Sequence, residues 1–154
     1  MFGFNKKKSA LFAPVTGDLI KIDKVKDPVF SQKMMGDGFG VEPSEGAVFA
    51  PVSGKVTAIF PTKHAITILM KDGTEALVHM GIDTVELKGQ GFEILVPEGQ
   101  AVSEADQLAT IDLDFLAEQG KRSTILVVFP DAKDKKIQVT EGKVTHSSEV
   151  GRFE

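Results

Sequence analysis

The chain has 154 residues, of which 42% are hydrophobic, with a net charge of −4 and no cysteine. Length and apolar content fit one compact domain with its own core and exclude an acidic disordered chain. The lack of cysteine excludes a disulfide scaffold and a thiolate metal site, and the scattered positive charges speak against a nucleic-acid partner.

Residues 1–10 read as a short flexible tail and residues 11–154 as a single domain. The tail carries the one basic cluster, Lys6-Lys7-Lys8, beside Phe2 and Phe4, and this reads as a solvated start rather than a membrane foot. No apolar run approaches the roughly 20 residues of a membrane span, and no secretion signal opens the chain. A cytoplasmic protein is expected, associated with the membrane only through a partner.

Gly and Pro, 15 and 7 in number, punctuate short runs rich in Val, Ile, Thr and Phe. Strands are predicted at residues 11–14, 18–23, 39–43, 47–51, 55–61, 65–71, 74–80, 93–96, 108–111, 124–130, 137–140 and 143–146. Their spacing is that of sandwiches and barrels. A helix is predicted over 112–119, with Asp112 as N-cap and Gly120 as its stop.

The sequence Phe12-Ala13-Pro14-Val15-Thr16-Gly17-Asp18-Leu19 returns as Phe49-Ala50-Pro51-Val52-Ser53-Gly54-Lys55-Val56. A solenoid needs at least three repeats. Two copies fit a pseudo-symmetric fold that sets equivalent strands in opposite halves. The fold class is all-β: an antiparallel sandwich, barrel-like, with Greek-key connections and one or two short helices.

Three histidines are present: His64, His79 and His146. Residues 63–81 read as a hairpin around Asp72-Gly73, a type I′ turn signal. A two-residue loop sets Lys71 opposite Thr74, His79 opposite Ile66, and His64 opposite Gly81. Period-two alternation then puts His64 and His79 on one face with Ile66, Ile68 and Leu77, roughly 7–8 Å apart at their backbones. A loop of odd length without a bulge would separate them.

Burial among apolar neighbours lowers a histidine's pKa and keeps the ring neutral, leaving one ring nitrogen free to attack phosphorus. A second imidazole can donate a hydrogen bond to the arriving oxygens. His146 has no such company and is expected at the surface.

Gly73-Thr74-Glu75-Ala76-Leu77-Val78-His79-Met80-Gly81-Ile82-Asp83-Thr84-Val85 resembles the signature of the glucose-family IIA domains of the bacterial phosphoenolpyruvate-dependent sugar phosphotransferase system. Phe60-Pro61-Thr62-Lys63-His64-Ala65 is similar to that family's second-histidine segment, and Met35–Pro43, Glu86–Phe92 and both Ala-Pro-Val copies fit as well. The resemblance runs from about Phe12 to the C-terminus.

It implies that His79 accepts a phosphoryl group on Nε2 from the carrier protein HPr and passes it to the IIB domain of a sugar permease. In that scheme His64 hydrogen-bonds the phosphoryl group, Thr62 positions His64, and the Gly81 carbonyl accepts from the other ring nitrogen of His79. Val29, Phe30, Met34, Met35, Phe60, Leu77 and Val85 match the apolar positions around the histidines. Asp27 and Asp83 match acidic rim positions facing a basic partner. No cofactor is required. Ala76 departs from the family by being small, and Met80 stands where Phe is also seen.

Other readings are weighed beside this one. A swinging-arm carrier is suggested by Met70-Lys71 and by the turn-rich Val96–Val102, but the chain is too long for such a module. A zinc peptidase of the hybrid-barrel kind needs three protein ligands, and only His64 and His79 offer themselves. Zinc between these two requires a carboxylate from a partner. A regulatory protein would use the same face, unphosphorylated, to bind transporters or kinases.

Overall fold

The computed structural model describes residues 10–130 and 136–153. All its strand pairs are antiparallel, and they form three sheets. One has β1 (Ala10–Phe12), β14 (Glu149–Phe153) and β12 (Ile137–Val139), in that order. A second has β4 (Ala47–Phe49), β10 (Gln107–Ile111) and β8 (Phe92–Ile94).

The large sheet begins with β13 (Gly142–Val144), β2 (Gly17–Lys21), β3 (Asp37–Pro43) and β11 (Arg122–Phe129). It continues with β7 (Glu75–Ile82), β6 (Ala65–Leu69), β5 (Gly54–Ile59) and β9 (Ala101–Val102). β11 inserts between β3 and β7, so strands joined by long connections lie side by side. No helix is long and apolar enough to cross a membrane among the described residues.

The duplicated motif is a structural pair. In each copy the Phe ends a strand of a small sheet, β1 or β4, and the Gly opens a strand of the large one, β2 or β5. The copies hold each other: Phe12 N–H donates to the Pro51 carbonyl at 2.9 Å, and Phe49 N–H donates to the Pro14 carbonyl at 2.6 Å. These bonds exchange equivalent atoms, as a local two-fold axis requires. The two glycines are also equivalent in use. A Cβ on Gly17 would lie 2.0 Å from the Glu42 carbonyl oxygen, and one on Gly54 2.4 Å from that of Leu69.

The large sheet is apolar on both faces. Ile66, Ile68, Val78, Met80, Ile125 and Val127 belong to the main core between the sheets. Ala65, Leu77, Leu126 and Val128 point the other way, to a second cluster completed by Ile22, Val25, Phe30 and Ile82. Part of this cluster comes from the connection between β2 and β3, which contains α1 (Pro28–Ser31). α1 has Asp27 as N-cap, its carboxylate accepting from Val29 N–H at 2.9 Å, and Pro28 where no N–H is needed. A helix this short does not hold itself. Burial of Phe30, 5% exposed, contributes about 2 kcal/mol toward pinning it to the sheet.

α2 (Leu113–Glu118) is the helix expected from sequence, capped by the Asp112 carboxylate at the Phe115 N–H and followed by Gly120 in a left-handed conformation. β9 and β14 were not expected, and α1 supplies the second of the one or two short helices expected, at a place the sequence reading did not mark. Ala10, assigned to the tail by sequence, is a buried residue of β1, while the rest of that tail lies outside the described residues.

Candidate functional site

The hairpin of β6 and β7 departs from the sequence expectation. Ala65, not Ile66, lies opposite His79, and Leu69 lies opposite Glu75. The loop is therefore Lys71-Asp72-Gly73, three residues rather than two. Gly73 N–H donates to the Met70 carbonyl at 3.0 Å, Met70 N–H to the Thr74 carbonyl at 2.8 Å, and Gly73 has φ +90°. This is the three-residue hairpin built on a turn with a left-handed glycine at its end. In the observed register Ile66 and Ile68 face the main core with Val78 and Met80, so they are not neighbours of His79. His79 shares its face with Leu77 and Ala65.

The two histidines nevertheless meet, their ring centroids 5.0 Å apart and their planes at 78°. Phe30 stands edge-on to His79 at 5.1 Å, and Phe60 edge-on to His64 at 5.5 Å. His79 Nδ1 lies 2.7 Å from the Gly81 carbonyl oxygen. A carbonyl only accepts, so Nδ1 carries the proton and the lone pair of the neutral ring is on Nε2. Gly81 reaches this position with φ +86°, and a Cβ there would lie 2.4 Å from the Thr84 methyl. Thr84, fully buried, donates its hydroxyl to the Met80 carbonyl at 2.6 Å and so holds the turn after β7.

His64 is 6% exposed, its Nδ1 2.6 Å from the Thr62 hydroxyl oxygen. The Thr62 hydroxyl can donate to Nδ1, and in that arrangement the proton of the neutral ring is on Nε2, the tautomer opposite to that of His79.

Burial depresses the pKa of both rings. For His79 burial is the largest cause and the neighbouring His64 the next. The Gly81 hydrogen bond and the carboxylates of Asp27 and Asp83 oppose them, and the pKa falls to about 4. For His64 burial alone lowers the pKa. Both rings are neutral at pH 7, one offering an unprotonated nitrogen and the other able to offer an N–H. That pairing suits an electron-rich nucleophile attacking a group whose charge must be stabilised.

Residues 9–135 match the family model described as phosphoenolpyruvate-dependent sugar phosphotransferase system, EIIA 1. The chain belongs to this family. Glucose-specific EIIA components are among its relatives. That of Staphylococcus aureus is 48% identical over 124 residues, covering 79% of this chain and 75% of that protein. That of Staphylococcus epidermidis is 48% identical over 115 residues, covering 75% and 69%. The glucose permease IIA of Mycoplasma capricolum shares the fold with a TM-score of 0.87 at 40% identity, over 92% of this chain and 93% of that one. The chain is accordingly a phosphotransferase component and phosphoryl carrier in sugar uptake, working between HPr and a IIB domain. The β-sandwich is that of the IIA proteins.

Within this EIIA chain, the expected partner-binding residues divide into a floor and a rim. Phe30 and Leu77 are buried at 5% and 7%, and Met35 is half-buried against the same cluster. Val29, Met34, Phe60 and Val85 are 40%, 69%, 39% and 49% exposed. Exposed apolar side chains on segments that flank one reactive pair suit a docking face.

Asp83 is exposed, in a left-handed conformation ahead of the single turn Thr84–Leu87, whereas Asp27 is engaged as a helix cap. His146 lies apart from the pair. It is half-buried rather than superficial, stacked on Phe49 at 3.9 Å with planes 4° apart, and its Nδ1 is 3.0 Å from the Ser147 hydroxyl.

Sequence reasoning missed the N-cap role of Asp27, although Asp-Pro ahead of an apolar pair is its signal. It also missed Thr84, whose buried hydroxyl has no signal beyond its closeness to Gly81. No group of three or more His, Cys, Asp or Glu side chains placed to hold a metal ion occurs among the described residues.

Proposed function

We propose that His79 is the residue that carries the phosphoryl group, on Nε2, and that His64 holds the phosphoryl oxygens. The observation that carries this reading is the bond between His79 Nδ1 and the Gly81 carbonyl, which leaves Nε2 as the only nucleophilic nitrogen of that ring. The Nε2 lone pair forms a bond to the phosphorus of phospho-HPr as the donor's N–P bond breaks, and the donor imidazole leaves with the bonding pair. His64, fixed through Nδ1 by Thr62, donates Nε2–H to an equatorial oxygen whose charge grows in the transition state. The same atoms work in reverse when the group moves on to the IIB domain.

Phe30, Leu77 and Met35 exclude water that would hydrolyse the N–P bond, while Val29, Met34, Phe60 and Val85 supply the docking rim. Asp27 and Asp83 favour a basic partner, and their negative charge limits the fall of the His79 pKa. The glucose-specific names of the relatives support a glucose-type permease as acceptor, and a cytoplasmic location follows from that role. Zinc between His64 and His79 would need a carboxylate from the docked partner as a further ligand. Zinc titration with and without the IIB domain tests this, and equal affinity in both would dismiss it.

The roles are tested by incubating the protein with phosphoenolpyruvate, enzyme I and HPr and mapping the phosphoryl group by intact mass and peptide analysis. One acid-labile group is expected on the wild type and none on His79→Ala. His64→Ala is expected to accept the group and fail to deliver it to the IIB domain. A phosphorylated His79→Ala would overturn the assignment.

A further inference from the structure

In the observed register His64 sits opposite Met80, whose N–H donates to the His64 carbonyl at 2.7 Å. Met80 is fully buried in the main core. Had β6 run back past Ala65 without a break, alternation would have turned the His64 ring to that same side. The ring instead stands beside His79 on the opposite face.

Directly before His64 stands Lys63, with φ +63°, a conformation that few residues other than Gly and Asn take up, and across it the Thr62 hydroxyl meets His64 Nδ1 at 2.6 Å. Lys63 N–H donates to the Phe60 carbonyl at 2.7 Å, and Phe60 N–H donates to the Ala65 carbonyl at 3.0 Å, which closes the loop on both sides. The Lys63 stem lies across the next loop, its Cδ 3.7 Å from where a Gly89 Cβ would stand.

We propose that Lys63 is a positioning residue for phosphoryl transfer: its left-handed backbone folds Thr62 back onto His64, so that the hydroxyl at Nδ1 holds the imidazole beside His79. This rests on the reading of His64 as the group that holds the phosphoryl oxygens. Neither the charge of Lys63 nor its contact with a partner is needed. What is needed is a residue at position 63 that stays left-handed.

The full-length Lys63→Gly, Lys63→Asn, Lys63→Ala and Lys63→Val proteins test it with two readouts. One is the nitrogen-resolved spectrum of the His64 imidazole in unphosphorylated protein, which reports the Thr62 bond at Nδ1. The other is the rate of transfer from phospho-HPr to the protein and from the phosphoprotein to the IIB domain. Lys63→Gly and Lys63→Asn are expected to keep the wild-type His64 signals and delivery rate.

Lys63→Val is expected to shift those signals and to slow delivery about tenfold, from the left-handed penalty of a β-branched side chain, while His79 is still phosphorylated. Should Lys63→Val fail to fold, Lys63→Ala and Lys63→Gly still test the proposal: both remove the lysine stem and neither is penalised more than lysine at a left-handed position, so both are expected to keep the wild-type signals and delivery, and loss of either would overturn it. Unchanged His64 signals and delivery in a folded Val variant would overturn the proposal. So would a Gly variant as impaired as the Val one, because the lysine stem on Gly89 would then hold the loop. The spectrum needs no phosphoryl donor, so a wild type that is never phosphorylated would sink the carrier assignment and leave the positioning result to be read on its own.

Discussion

Replacing His79 with Gln removes a titrating ring and keeps a neutral polar side chain of similar reach. The folded protein holds His79 at a pKa of about 4, against its ordinary value of 6.5. Folding therefore favours the unprotonated ring. Between those two values the unfolded chain binds the proton and the folded one does not, so stability falls as pH falls. The contribution is fully present above pH 6.5, is lost progressively toward pH 4, and is flat below that. Over the whole window the shift corresponds to about 3 kcal/mol, of which about 2 kcal/mol is lost between pH 7 and pH 5.

Urea unfolding of the wild type and of His79→Gln at pH 7, 6 and 5 measures it. Carboxylates titrate in both proteins, and any fixed cost of the substitution is the same at each pH, so both cancel in the difference. The wild type is expected to lose about 2 kcal/mol more than the variant on going from pH 7 to pH 5. Stabilities that fall in parallel would refute the buried, neutral His79, and a wild type that lost less than the variant would reverse its sign.

Thr62→Val keeps the shape of the side chain and removes the hydroxyl at His64 Nδ1. It is expected to cost about 1–3 kcal/mol in unfolding assays through a buried unpaired nitrogen, and to slow delivery to the IIB domain. Gly81→Ala forces a Cβ to within 2.4 Å of the Thr84 methyl and 2.9 Å of the Arg122 carbonyl oxygen at φ +86°. A loss of about 2–4 kcal/mol is expected, together with a changed His79 tautomer signal in nitrogen-resolved spectra. Met34→Ser, at a position 69% exposed, is expected to leave the unfolding midpoint in place while raising the KM for phospho-HPr in a transfer assay.

What the sequence revealed depended on whether the physics was local. The runs that became β6, β7 and β11 are rich in Val, Ile and Leu and were found with small boundary errors. α2 was found through Asp112 and Gly120, which are local signals. β14 was hidden because its stability is not its own: Glu149, Gly151 and Arg152 carry no strand signal, and the segment is ordered by pairing with β1 on one side and β12 on the other. Gly151 is required there because a Cβ would lie 2.0 Å from the Gln138 carbonyl oxygen, a fact about a distant segment.

The histidine pair is the instructive case, since its adjacency was expected for a reason that fails. Asp72-Gly73 serves a two-residue loop and the end of a three-residue loop equally well, because both call for a glycine with positive φ. The observed loop reverses the expected faces, and His64, which lies ahead of β6 and outside its alternation, turns its ring back to His79. Neither step leaves a mark on hydrophobic alternation.

β7 shows why a reactive ring can be held steadily at a surface. Ala76, Val78 and Met80 enter the main core, and Leu77 and His79 take the other side. A slip of one residue would push His79 into the main core and turn fully buried Val78 and Met80 out of it, a change resisted by every layer of packing along the strand. The position of His79 is thus as secure as the core. His64 has no such guarantee, since it lies outside β6 and depends on the turn at residues 60–65. The part of the site most open to adjustment is therefore the residue proposed to stabilise the phosphoryl group, while the residue proposed to carry it is fixed by the sheet. Such a division suits a carrier that must present one nucleophile, without rearrangement, to two different partners.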